Sequence, residues 1–181
     1  MNNLRHMISI AKRLQKNYYK QPRVKGLISE LEVRSNLLNE KYVIYNLILG
    51  DNYKTQIDHI LINSRGIFVI ETKNYTGIII GKEDDKNWIQ IINDNKYFFS
   101  SPILQNEFHI KMIRNYIFED IPIYSIIAFS NKSNLKVKAN KDVIHINELN
   151  ETISKKPDGC LSDIKQKELF TLLMELKNKN S

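Results

Sequence analysis

The feature that most constrains the fold of this chain is a pair of short β-branched segments joined by a turn. Residues 56–62 and 67–73 are rich in isoleucine, valine and threonine. The segment 63–66 between them reads Asn-Ser-Arg-Gly, which is the composition of a hairpin connection. The sequence therefore predicts an antiparallel hairpin over residues 56–73.

This hairpin is expected to bring three ionisable side chains together. With the turn centred between residues 64 and 65, Asp58 lies across from Glu71, and Gln56 lies across from Lys73. Because side chains alternate along a strand, Glu71 and Lys73 share one face. The hairpin then presents Asp58, Glu71 and Lys73 together, on the condition that no bulge shifts the register.

Two opposed carboxylates in this position need a compensating charge. They repel each other, and burying them among isoleucine and valine side chains is costly. Carboxylate, carbonyl and water oxygens suit Mg²⁺ or Mn²⁺, and a phosphate oxygen can complete the octahedron. Lys73 is then placed to orient or deprotonate a water, or to stabilise charge in the transition state. The structural alternative is a buried ion-pair network of Asp58, Glu71 and Lys73.

Four further polar residues are candidates for the same site. Glu30 points towards the apolar side of its predicted helix, where it either reaches the metal or pairs with Arg34 one turn later. Gln105 and His109 are four residues apart on another predicted helix and share a face, so they can touch a substrate phosphate or the attacking water. The alternative for the histidine is a simple packed residue. Gln56, on the hairpin, is a candidate substrate contact.

The elements predicted along the chain describe an α/β fold. Their order favours a mixed central β-sheet flanked by helices. Trp88 is expected to be a core anchor, with base stacking as the alternative. Helices are predicted over 3–18, 26–38, 101–118 and 162–176, and strands over 42–49, 56–62, 67–73, 77–80, 88–92, 122–129 and 142–146.

All of the net positive charge of +7 comes from the N-terminal part of the chain. Seven basic residues and no acid precede Glu30; taking them from the 27 basic residues leaves 20, equal to the 20 acidic ones. A basic helical arm over 1–24 can bind phosphates, lie on an anionic membrane, or present a solvated face. The cations selected as candidate nucleic-acid contacts are Lys12, Arg13, Lys16, Arg23 and Lys25.

Length and composition set further bounds. A chain of 181 residues with 42% hydrophobic content suffices for one α/β domain, here 25–181, and is short for two. Its single cysteine, Cys160, excludes an internal disulfide, and no cysteine and histidine cluster has zinc spacing. No apolar run approaches the about 20 residues that span a bilayer. We therefore expect a cytoplasmic protein without a membrane span; the sequence does not specify an oligomeric state.

As an ordered set, these motifs resemble the nuclease-related domain (NERD) family, a branch of the PD-(D/E)xK nuclease superfamily. The resemblance covers about residues 25–130. It is far more specific than an isolated Glu-x-Lys motif, because a whole series of motifs occurs in order. The matching residues are Gly26, Ser29 and Glu30; the segment 56–60 (QIDHI); the segment 66–75 (GIFVIETKNY); Gly77; Asp84, Asp85 and Trp88; and Pro102, Gln105 and His109.

The resemblance implies a restriction-endonuclease-like core with its active site on the hairpin. In such a core Asp58 and Glu71 are metal ligands, Lys73 is the catalytic lysine, and Glu30 is the acid of the first helix. Gln105 is similar to the glutamine that follows the core strands in RecB-like relatives. A tyrosine often sits four residues later in those relatives, and the histidine at that place here departs from the pattern.

Two functions fit the sequence. The first is a Mg²⁺- or Mn²⁺-dependent phosphodiesterase that hydrolyses nucleic acid, with DNA favoured over RNA. The second is a non-catalytic module that keeps the nuclease fold and binds nucleic acid or a protein. The presence of both carboxylates and the lysine favours the enzyme, whereas the choice between endonuclease and exonuclease stays open.

Overall fold

The computed structural model describes residues 22–50 and 53–180. The predicted helix over 3–18, with Lys12, Arg13 and Lys16, lies outside the described residues, whereas Arg23 and Lys25 fall within the first described helix. The helices are α1 (Pro22–Asn36), α2 (Pro102–Arg114), α3 (Leu149–Ser154) and α4 (Asp163–Lys179), with a 3₁₀ turn at Ile146–Glu148. The strands are β1 (Tyr42–Leu49), β2 (Thr55–Asn63), β3 (Gly66–Lys73), β4 (Gly77–Lys82), β5 (Asn87–Ile92), β6 (Asn95–Ser100), β7 (Ile123–Phe129), β8 (Ser133–Lys138) and β9 (Asp142–His145).

A five-stranded mixed sheet forms the centre of the domain, in the order β1-β2-β3-β7-β9. Strands β1, β2 and β3 are antiparallel neighbours, whereas β3 with β7 and β7 with β9 run parallel. A parallel neighbour needs a long crossover, and the segment containing β4, β5, β6 and α2 supplies it between β3 and β7. The predicted α/β fold with a mixed central sheet and flanking helices is confirmed.

Side chains alternate along β3, so its two faces enter two different cores. Ile67 and Val69 pack in the core that α2 and α4 cover. Phe68 and Ile70 pack in the core that α1 and α3 cover. Each large apolar side chain buried in this way stabilises the fold by roughly 1.5–3 kcal/mol. Helices on both faces therefore explain why this strand is apolar without interruption until Glu71.

A second sheet of four strands, in the order β6-β5-β4-β8, is a feature that the sequence analysis did not predict. Trp88 on β5 is fully buried, stacks at 6.2 Å on the ring of Phe129, and donates its indole N–H to the Lys82 carbonyl. Gly81 leaves room for the indole, because a Cβ there would lie 2.3 Å from the Trp88 ring. The interpretation of Trp88 as a core anchor is confirmed, and the base-stacking alternative is wrong.

Most predicted elements occur with small differences in length. The strand predicted over 42–49 is β1, and the Ser101 side chain caps α2 ahead of Pro102. Helix α2 is shorter than predicted, and α3, β6 and β8 were not predicted. The boundary drawn between residues 24 and 25 falls inside α1. Within the described ranges, no helix is long and apolar enough to cross a membrane.

Candidate active site

The central hairpin keeps the predicted register only near its turn. The ladder between β2 and β3 runs from the turn to His59 and ends there. The prediction that Asp58 forms a ladder pair with Glu71 is therefore wrong, and so is the prediction that Gln56 pairs with Lys73. The two strands separate at the point where the carboxylates begin.

A kink in β1 and β2 explains this separation. Asn46 on β1 has a positive φ of 53°, and neither it nor Asp58, which lies opposite, takes part in the ladder. The alternation of side chains shifts by one at this point, because Ile57 and Ile60 enter the same core. An unpaired residue in a strand bends it and redirects the neighbouring side chains. Asp58 is the residue on β2 that occupies the bend.

The kink separates the two candidate site residues on β2, Asp58 and Gln56. The Asp58 carboxylate accepts the backbone N–H of Thr72 at 3.0 Å, which holds it against the end of β3. Gln56 instead pairs with Ile48 of β1, and its exposed Nε2 lies 3.5 Å from Asn46 Oδ1. The structure thus brings Asp58 to β3 and leaves Gln56 on the side of β1.

Glu71 is the centre of a hydrogen-bonded cluster and is only 3% exposed. Its Oε1 accepts from Lys73 Nζ at 2.6 Å and from Gln105 Nε2 at 2.9 Å. Its Oε2 lies 3.2 Å from His109 Nε2. Lys73 also donates to Gln105 Oε1 at 2.8 Å. One strand and one helix therefore bring four of the residues selected from the sequence into contact.

Helix α2 positions two members of the cluster. The Ser101 cap fixes the start of the helix, which puts Gln105 in the first turn and His109 one turn later on the same face. His109 is 2% exposed, and its Nδ1 lies 2.9 Å from Thr55 Oγ1. These contacts fit the tautomer that carries the proton on Nε2, facing Glu71. Thr55 is not among the residues selected from the sequence.

The two carboxylates have opposite pKa shifts. Burial, and then the charge of Glu71, raise the pKa of Asp58 to about 6. Burial also acts to raise the pKa of Glu71, but the hydrogen bond with His109 and the charge of Lys73 outweigh it and lower that pKa. Neighbouring groups therefore keep Glu71 ionised, whereas the surroundings of Asp58 oppose its ionisation.

Charged side chains on α1 shift the pKa values of residues at the same end of the sheet. Glu30 pairs with Arg34 at 3.6 Å, the alternative that the sequence left open, and its charge contributes to the raised pKa of Asp58. His59 is fully buried against the ring of Tyr45, and burial followed by the charge of Arg34 lowers its pKa to about 4. The role of Glu30 as a metal ligand stays a prediction.

The carboxylate donors suit a hard divalent cation. Asp58 and Glu71 would supply oxygen ligands to such a cation, and a cation beside them would replace their repulsion by attraction. Among the residues that the structure describes, no group of three or more acidic, histidine or cysteine side chains forms a ready metal site. Water and substrate oxygens would therefore have to complete the coordination of Mg²⁺ or Mn²⁺, as is usual for Mg²⁺.

The mixed sheet flanked by helices, with an acidic pair and a lysine where its central strands separate, defines a restriction-endonuclease-like α/β core. The chain belongs to the nuclease-related domain (NERD) family, whose model matches residues 25–130, more than half of its length. This family is part of the PD-(D/E)xK-like nuclease superfamily. The resemblance seen in the sequence is confirmed.

The chain is also similar to an uncharacterized protein of Bacillus anthracis, pXO1-01. The two are 35% identical over 157 residues, which cover 83% of this chain and 72% of that protein. No solved structure matches the chain significantly. Family membership thus indicates a nuclease-related function, without specifying the substrate or the metal.

Proposed function

We propose that this chain is a Mg²⁺- or Mn²⁺-dependent nuclease that hydrolyses phosphodiester bonds, with DNA as the favoured substrate. The observation that carries the proposal is a pair of carboxylates, the buried Glu71 and the half-buried Asp58, beside the ammonium group of Lys73. Burying such groups together is costly, and perturbed carboxylates of this kind concentrate at functional sites. Membership of a nuclease-related family supports the same activity.

Each polar residue of the cluster has a chemical task in this proposal. Asp58 and Glu71 hold the cation, with Glu30 as a further ligand candidate. When bound, the cation supplies Lewis-acid chemistry at a phosphate oxygen. Lys73 stabilises the charge that develops on the phosphate or orients the attacking water. Gln105, which is bonded to both Lys73 and Glu71, keeps the ammonium group in place.

His109 serves as a positioning residue in this arrangement. It is buried beneath Glu71 and is held from its other side by Thr55, so it fixes the orientation of one carboxylate oxygen. A group that orients a metal ligand in this way also tunes the affinity for the metal. The substrate contact predicted for His109 from the sequence is not needed for this role.

The test of the proposal is Lys73→Ala. We expect this substitution to lower plasmid cleavage in Mg²⁺ or Mn²⁺ by about 10²–10³-fold, because it removes one electrostatic contact made in the transition state. The fold and DNA binding should be nearly unchanged. Cleavage and a melting curve are measured on the same preparation. Lys111→Ala, which removes an exposed lysine of α2, is the matched control and should cleave like the wild type.

The ion-pair alternative predicts a different pattern. If Lys73 only neutralises buried carboxylates, its removal should cost about 3–5 kcal/mol of stability. A Lys73→Ala variant that melts at a much lower temperature, together with wild-type protein that shows no metal-dependent cleavage, would contradict the proposed nuclease activity.

A non-catalytic binding module is the second candidate. The ion pair between Lys73 and Glu71, at 2.6 Å, favours it, because this lysine already has a partner in the absence of a metal. A panel of supercoiled, linear, single-stranded and branched nucleic acids separates the two functions. Binding without cleavage of any substrate, with either metal, supports the module.

A further inference from the structure

The second sheet has an exposed apolar face on the side opposite Trp88, which we call the outer face. Ladder pairs join Ile78 to Ile91, Ile80 to Ile89, and Ile89 to Phe98, so these five side chains are neighbours on one face. Phe98 is 72% exposed, and Ile78 and Ile80 are 37% and 38% exposed. Contiguous apolar side chains in contact with solvent mark a binding surface.

Four lysines share the outer face with these apolar side chains. Lys136 is paired with Ile80, Lys96 with Ile91, and Lys82 with Lys138 at one end of the sheet. All four lysines are exposed, and within the described part of the chain none of them forms an ion pair. The strand positions that form the outer face contain no acidic residue. The face therefore combines apolar area with unneutralised positive charge.

The nearest acids in sequence belong to the turns on either side of β5, namely Glu83, Asp84 and Asp85 before it and Asp94 after it, and two of them are already used by the backbone. Asp85 accepts the N–H of Lys82 at 2.9 Å. Glu83 accepts the N–H of Asn140 at 2.7 Å. These carboxylates shape the end of the sheet, whereas the ammonium groups on the outer face stay available to a partner.

We propose that the outer face binds a single-stranded segment of nucleic acid. Bases stack on Phe98 and on the neighbouring isoleucines, and the four lysines contact the backbone phosphates. The charge of the face favours one kind of partner. The face attracts an anion and repels the chain's own N-terminal segment before Glu30, which has seven cations and no acid. The inference rests on the proposed action on nucleic acid and adds the form of the substrate.

The covalent connections place the second sheet near the candidate active site. Gly77, where β4 begins, is four residues after Lys73, which limits their separation to about 14 Å. Strand β6 ends at Ser100, and Ser101 then caps the helix that carries Gln105. The end of the second sheet where β4 begins is therefore close to the carboxylate pair.

The test measures binding without cleavage. Fluorescence anisotropy of labelled oligothymidylate is recorded with the full chain in EDTA, beside a duplex of the same length. We expect Phe98→Ala to weaken the binding of the single strand about tenfold, because one stacking contact is lost. The double variant Lys96→Ala/Lys136→Ala should make the slope of log affinity against log salt less negative by about 1.4, because each lost phosphate contact accounts for about 0.7 of that slope.

Matched variants control for a general loss of charge or apolar surface. Phe118→Ala and Lys167→Ala remove an exposed phenylalanine and an exposed lysine elsewhere, and both should bind like the wild type. Melting curves of all variants exclude unfolding. An unchanged affinity of Phe98→Ala for oligothymidylate would overturn the inference.

Two other occupants of the face are distinguishable outcomes. Binding to vesicles that contain phosphatidylserine, lost in Phe98→Ala while oligothymidylate does not bind, would assign the face to a membrane surface and overturn the inference. A dimer in sedimentation that dissociates in Phe98→Ala would assign it to a second copy and also overturn it. Since the binding assay contains no metal, either result leaves a positive cleavage assay, and with it the proposed nuclease activity, intact.

Discussion

Asp58 and His59 are neighbours in the sequence, and burial shifts the pKa of each in the direction that disfavours its charged form. The pKa of Asp58 is raised to about 6 by burial and by Glu71. The pKa of His59 is lowered to about 4 by burial and by Arg34. Folding therefore makes Asp58 bind its proton more tightly and His59 more weakly.

These shifts predict opposite contributions to the pH dependence of stability. The contribution of Asp58 to the free energy of unfolding falls as the pH rises from about 4 to 6, because the folded state binds the extra proton in this range. The contribution of His59 rises from about pH 4 to 6.5, because the unfolded state binds the extra proton. In the wild type the two contributions oppose each other.

Single substitutions should separate the contributions of Asp58 and His59 to the slope of the free energy of unfolding against pH. We expect Asp58→Asn to give a free energy of unfolding that rises more steeply between pH 4 and 6.5, and His59→Asn to give one that falls with pH. Urea unfolding at several pH values measures both, and the slope is independent of any constant loss of stability. Identical slopes in the wild type and in both variants would contradict the assignments.

Asp58 should also change the effect of metal on stability. At neutral pH, Asp58→Asn removes a disfavoured charge and is expected to stabilise the metal-free protein by roughly 1–3 kcal/mol. Mn²⁺ should raise the melting temperature of the wild type, because a ligand that binds only the folded state stabilises it, and the variant should lose this response. Titration calorimetry checks the binding directly. Equal Mn²⁺ affinity in both proteins would exclude Asp58 as a ligand.

The sequence predicts most of the candidate site because the hairpin pattern fixes which residues of β3 share a face. Glu71, Lys73 and Gln105 meet as expected, but the contact of Thr55 with His109 joins residues 54 positions apart. A threonine at the start of a strand gives no local signal of such a contact.

At the scale of single elements, the kink at Asn46 determines where Asp58 lies. We expect Asn46→Gly to be tolerated, because glycine adopts a positive φ without strain. Asn46→Val should destabilise the protein by about 1–3 kcal/mol, because a β-branched residue is strained in this conformation. It should also weaken Mn²⁺ binding by displacing Asp58. Urea unfolding and calorimetry on the two variants give the comparison; equal stability would show that the kink does not depend on residue 46.

In the second sheet, the alternation of apolar and polar residues could have predicted one strand, β8, but not another, β6. Strand β8 does carry the alternation of a half-buried strand, with Leu135 and Val137 facing inward and lysines facing out, so a signal was present. Strand β6 has no such alternation, because most of its side chains on both faces are exposed. Its pairing with β5 depends on the turn at Asn93 and Asp94, both of which have positive φ.

At the scale of the whole molecule, the charge of the N-terminal arm predicts a strong salt dependence. If about four to seven of its cations contact DNA phosphates, log affinity should fall with log salt at a slope on the order of −4 to −6. Deleting residues 1–20 removes five of the seven cations that precede Glu30 and should make this slope for duplex DNA less steep. An unchanged slope in the deleted protein would assign the arm to packing or to another partner.

The last turn of α4 has a consequence for how copies of this protein behave at high concentration. Strand β1 is the edge of the central sheet, and Lys177 and Asn180 donate to the carbonyls of Tyr45 and Ile48 at 2.6 and 3.1 Å. An unprotected edge is a template on which a strand of another molecule can add. Lys177 and Asn180 occupy backbone carbonyls that such a strand would need, so the end of α4 opposes fibrous self-association through the sheet.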